Sequence, residues 1–82
     1  MKPFQIEVTC EEHWKLIAKE LDRLECLWQY TDKKPGESRN PDSVHFVYIG
    51  KRLENTISWG LFRNETLPLI TLTELRAMET PF

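Results

Sequence analysis

Residues 44–62 read VHFVYIGKRLENTISWGLF, and this stretch decides the fold. Two runs rich in β-branched and aromatic residues, Val44 to Ile49 and Thr56 to Phe62, flank Gly50 and a short polar turn, which predicts a β-hairpin. A strand with one wet face alternates apolar and polar residues. Here Val44, Phe46 and Tyr48 oppose Val47 and Ile49, so both faces of the first hairpin strand need cover. A first helix would supply one cover. The other would come from a C-terminal helix or from a second copy of the chain, and the two are given equal weight.

Toward the N-terminus, Phe4, Ile6 and Val8 alternate with Gln5 and Glu7, the period of a strand with one buried face. Thr9 and Glu12 then form a Thr-x-x-Glu signature that starts a helix at about Cys10. Trp14, Ile17, Ala18, Leu21 and Leu24 recur at helical spacing as its core face, while charged residues such as Glu11, Lys15, Glu20 and Asp22 fall mostly elsewhere. Leu27 to Thr31 predicts a short aromatic strand. The breaker-rich segment DKKPGESRNPD that follows predicts a long mobile loop over residues 32–43 with little to bury.

Toward the C-terminus, Leu67 to Leu69 is expected to be extended, because Pro68 disfavours helix before it. Thr71 and Glu74 repeat the capping signature ahead of Leu72, Leu75 and Met78, and Pro81 ends that short helix. The expected order is β-α-β-β-β-α. This is an α+β fold, a small two-layer sandwich with a mainly antiparallel sheet, one long N-terminal helix and one short C-terminal helix. Strand order is open. Eighty-two residues suffice for one domain, here 1–82, with a single modest core.

The layout resembles small proteins encoded by bacteriophages and prophages. It is carried by the first strand, the helix with its early Trp14, the aromatic strand at Trp28 to Tyr30, the segments HFVYIG and NTISWG, and the terminal ITLTELRAM helix. Such proteins have diverse roles and often modulate a host enzyme or defence system by direct contact. The resemblance therefore implies a setting in the host cytoplasm and a host-protein partner, and it transfers no functional residue.

Composition narrows the classes further. At 40% apolar and 29% charged the chain is expected to fold, and no apolar run is long enough to span a membrane. The N-terminus has no secretory pattern, so a cytoplasmic location is expected. A net charge of -2 and a pI near 5.6 disfavour sequence-independent nucleic-acid binding. Lys33, Lys34, Arg39, Lys51, Arg52 and Arg63 still gather in predicted turns, and with sheet aromatics they form the alternative, a nucleic-acid or nucleotide site.

Catalytic and metal signatures are thin. Cys10 and His13 make a lone Cys-x-x-His, without the second spaced pair that a zinc site needs. Cys26 lies about 24 Å away if one helix of about 1.5 Å rise per residue separates the two cysteines, too far for a disulfide. A Cys10 thiolate served by His13 lacks an orienting acid, and Cys10 reads better as a residue covering the end of the core. Adjacent acids such as Glu20 and Asp22 read as solubilising charge, and neither a phosphate loop nor a cofactor motif is present. The expectation is a non-enzymatic interaction protein without a cofactor. It would bind through the 32–43 loop and the residues Trp28, Tyr30, Lys33, Lys34, Arg39, Lys51, Arg52 and Trp59, with at least one tryptophan partly exposed.

Overall fold

The computed structural model describes residues 3–29, 33–37, 45–51 and 56–78. The elements are β1 (Phe4–Glu7), α1 (Glu11–Arg23), β2 (Leu27–Trp28), a 3-10 turn (Pro35–Glu37), β3 (Phe46–Ile49), β4 (Thr56–Gly60), β5 (Leu69–Ile70) and α2 (Leu72–Arg76). The expected α+β order is present, and the extended segment before α2 has become a fifth strand.

The five strands form one mixed sheet in the order β2-β4-β3-β1-β5. The predicted hairpin is its centre: β3 pairs antiparallel with β4, Ile49 opposite Ile57 and Val47 opposite Trp59. β1 pairs antiparallel on the other side of β3, Ile6 opposite Val47. The two-residue edge strands are the parallel members, β5 on β1 and β2 on β4. That parallel pairing explains their connections, because strands running the same way must be joined by a crossover. α1 makes one crossover, from β1 to β2.

Both helices pack on one face of the sheet. Phe4, Ile6, Val8, Val47, Ile49 and Ile57 meet Trp14, Ile17, Ala18, Leu21 and Leu24 from α1 and Leu75 from α2 in one buried cluster. All five predicted core positions of α1 are in it. Arg23 on α1 joins the helices by donating to three carbonyls at the end of α2, those of Leu75 at 3.2 Å, Arg76 at 3.5 Å and Met78 at 2.6 Å.

The helix ends show where local chemistry departs from the sequence signatures. α2 begins with the predicted capping box: Thr71 Oγ1 accepts from the Glu74 N–H, and Glu74 Oε1 accepts from the Thr71 N–H. α1 is capped one residue later than Thr9 and Glu12 suggested. Cys10 Sγ accepts from the His13 N–H at 3.4 Å, and His13 Nδ1 accepts from the Thr9 N–H at 3.2 Å. Cys10 is therefore an exposed cap and not a cover for the core; Cys26 is the buried cysteine.

The second face of the sheet is covered neither by α2 nor by another helix. The connection from β4 to β5, residues 61–68, crosses it as a strap. Gln5 and Tyr48, paired across β1 and β3 on that face, reach up to hold it. This corrects the expectation of the C-terminal helix as the second cover over β3. It also corrects the reading of Gln5 as a solvent-facing position, because its side chain is wholly buried.

Part of the predicted mobile loop is built into the fold. Pro35 is fully buried, and the Gly36 N–H donates to both Asp22 carboxylate oxygens, at 3.0 and 3.2 Å. A Cβ on Gly36 would collide with that carboxylate, so a larger residue here would have to displace the Asp22 side chain from its bonds to the Gly36 N–H. Lys33 O accepts from the Trp28 N–H at 2.9 Å, so the chain folds back along the outer edge of β2. An edge strand covered in this way offers less of its backbone to other chains.

Candidate functional site

Among the described residues Leu16, Trp59, Leu61, Phe62 and Leu69 are the large exposed apolar residues, and three of the five fall within residues 59–62, at the end of β4 and the start of the strap. Trp59 is 49% exposed at the end of the hairpin away from the turn, and Phe62, at 78%, is the most exposed. Their backbone is not loose. β4 runs to Gly60, and two residues later the Phe62 carbonyl accepts from the Tyr48 hydroxyl. A Cβ on Gly60 would strike that hydroxyl, so a glycine lets Tyr48 pass beneath the start of the strap. The result is a run of exposed apolar residues on ordered backbone that wraps this end of the sheet: Trp59, opposite Val47, belongs to the helix-side face, and Leu61 and Phe62 to the strap that crosses the other.

The residues expected to form a site are not brought together. Trp28 turns inward and packs on Trp14, ring centroids 5.8 Å apart, so it serves the core side of the sheet. Lys33 and Lys34 are exposed beside β2. Lys51 lies in the hairpin turn, at the opposite end of β3 and β4 from Trp59, with its ammonium 5.2 Å from the centre of the Tyr48 ring. Of the described candidates, Trp59 alone is among the exposed residues 59–62. Tyr30, Arg39, Arg52 and all of residues 38–43 of the loop lie outside the described residues.

A second concavity of about 260 Å³ opens where β1 and β5 end and α1 and α2 begin. Ile6, Leu69, Ile70 and Leu72 provide apolar walls, with Glu7, Thr9, His13 and Thr71 around them. His13 is thus half-buried against this crevice. Its Nδ1 is engaged by the Thr9 amide and not by the Cys10 thiol. Among the described residues no three His, Cys, Asp or Glu side chains are grouped to hold a metal ion.

Burial pushes the Cys26 thiol up to about 12, with the neighbouring Asp22 charge adding to the effect. Such a thiol is inert near neutral pH, and it lies in the core cluster. No helix among the described residues is long and apolar enough to cross a membrane.

Sequence reasoning missed two contributors. Leu61 and Phe62 had been read as the end of a strand; the signal against that was the arginine, asparagine and glutamate that follow them immediately. Gln5 gave no signal, since a lone amide in an alternating strand reads as solvent-facing. No protein-family model, curated protein or solved structure matches the chain.

Proposed function

We propose that this chain is a non-enzymatic protein-binding module whose contact surface is the corner formed by Trp59, Leu61 and Phe62. The observation that carries this is Phe62, 78% exposed on backbone anchored by Tyr48. Binding energy at interfaces concentrates in a few aromatic anchors, and an anchor held in place before binding loses little entropy on docking. The setting that goes with this reading is a phage or prophage accessory factor acting on a host protein.

The docked start of the 33–37 segment moves the expected contact away from that loop and toward the strap. Nucleic-acid binding is the weaker reading, because it needs basic groups beside exposed aromatic rings. Trp28 faces Trp14 and Lys51 sits over the Tyr48 ring, so Arg63 is the described basic side chain that adjoins the exposed Phe62, and a chain with a net charge of -2 adds little phosphate neutralisation around it.

The test is affinity capture from a bacterial lysate, before and after nuclease, with the unaltered chain and with the Trp59→Ser and Phe62→Ser variants. The reading expects a stoichiometric protein partner that survives nuclease and is lost by at least tenfold in either variant, both still folded by circular dichroism. A partner retained equally by both variants would remove the corner from the mechanism, and capture lost with nuclease would put nucleic acid in its place.

A further inference from the structure

We infer that residues 61–68 form a latched arm, able to lift from the sheet as a unit while the helix-side core stays intact, and that Gln5 is its latch. Gln5 is the one buried polar or charged residue among the described residues. Its Nε2 donates to the carbonyls of Asn64 and of Leu67, the latter at 2.7 Å, and its Oε1 accepts from the Asn64 N–H at 2.9 Å. Its own backbone N–H donates to the Pro68 carbonyl at 2.9 Å, so a single residue of β1 grips the arm at its middle and at its end. At the other end the Tyr48 hydroxyl holds the Phe62 carbonyl.

Little else holds the arm down. Leu67 is its one buried side chain; Leu61, Phe62, Arg63, Glu65, Thr66 and Pro68 are exposed, and no arm residue belongs to the core cluster. Within itself the arm is organised: Asn64 Oδ1 accepts from both the Thr66 N–H at 2.8 Å and the Thr66 hydroxyl at 2.6 Å. A segment with few buried apolar contacts and its own local turn is the kind that opens below the global unfolding free energy. The hydrogen bonds to Gln5 then act asymmetrically. Intact, they fix the arm; with the amide removed, the Asn64 N–H and the Leu67 carbonyl lose their partners and regain them only by meeting water, which lifts the arm, while the Asn64 carbonyl keeps the Leu67 N–H. One consequence rests on the protein-binding reading above: since the arm carries Leu61 and Phe62, the latch sets how well the docking corner is preorganised. The arm itself does not depend on that reading.

Amide hydrogen exchange on the full chain, without any partner, tests this. In Gln5→Leu the Asn64 amide is expected to exchange about tenfold faster or more, while helix amides such as Ile17 and Leu21 change by less than about twofold. Equal acceleration of arm and helix would show that the arm is not a separate unit. An unchanged Asn64 amide would show that Gln5 is not its latch. If Gln5→Leu fails to fold, exchange on the unaltered protein in rising sub-denaturing urea decides: the arm amides should exchange by an opening that is nearly independent of urea, and the helix amides by one that is steeply dependent. Coincident dependence would overturn the inference. Because no partner is present, loss of the docking reading would leave these outcomes untouched.

Discussion

Replacing Glu25 by glycine should stabilise this protein. Glu25 has a φ of 61° and is the sole non-glycine residue with a positive φ among the described residues. It follows the α1 C-cap Leu24, donating its N–H to Asp22 O at 3.0 Å, while the Cys26 N–H donates to Leu21 O at 3.0 Å. These paired bonds close a helix on a left-handed residue, a position where glycine is the common choice. An L-residue pays roughly 1–2 kcal/mol for that conformation. Glycine removes this cost but frees the unfolded chain by about 0.4–1 kcal/mol. The net gain is then about 0.5–1 kcal/mol, which for a domain of this size raises Tm by roughly 2–8 °C. The exposed Glu25 side chain contributes no hydrogen bond or ion pair that would be lost. Thermal and urea unfolding of the unaltered chain, Glu25→Gly and Glu25→Ala give the answer. Alanine removes the carboxylate from the negative end of the helix but keeps the Cβ, so it isolates the charge contribution. If alanine gains as much as glycine, or glycine gains nothing, the backbone explanation is refuted.

Three further outcomes follow from the Arg23 bonds and the burial of Cys26. Arg23→Met should keep the aliphatic stem yet leave the carbonyls at the end of α2 to water, costing about 1–2 kcal/mol in urea unfolding; a neutral result would mean those exposed bonds add nothing over solvation. Cys26 should resist a thiol reagent at neutral pH in the folded protein while the exposed Cys10 reacts, and equal rates would contradict its burial. Because folding raises the Cys26 pKa from 9.0 to about 12, the unfolded state releases its proton first. Stability should therefore be unaffected by this group below about pH 9 and should fall as pH rises from 9 toward 12, with a limiting slope of about 1.4 kcal/mol per pH unit. The slope should be absent from the difference between the unaltered chain and Cys26→Ala if the thiol contributes nothing.

The legible part of this fold is the part governed by periodicity. Trp14, Ile17, Ala18, Leu21 and Leu24 announce a helix face, Thr71 and Glu74 a helix start, and the two runs around Gly50 a hairpin, each within a few residues of sequence. Two-sided burial of β3 was also legible, but the nature of its second cover was not. That cover depends on Gln5 reaching residues 59 and 62 positions away, and a pattern with period two assigns an amide to water. Asp22 was obscured in the same way. Its charge reads as helix solubility until the Gly36 N–H is found on its carboxylate. The candidate corner was half legible: an excess of tryptophan implied exposure somewhere, and Trp59 meets it, but Trp28 could be assigned to the core only once Trp14 lay beside it.

The sheet order has a consequence for how the molecule is made. Of the five strands β1 is made before the others, yet its two neighbours are β3 and β5, the second of which ends at Ile70. During synthesis β1 and α1 must wait, with the apolar stripe of α1 unsheltered, until the hairpin and then the strap have emerged. Only the β3–β4 pair is local enough to form early. β1 and α1 are therefore expected to pass an exposed interval before their sheet partners emerge, the interval in which chaperones and unwanted partners compete for them.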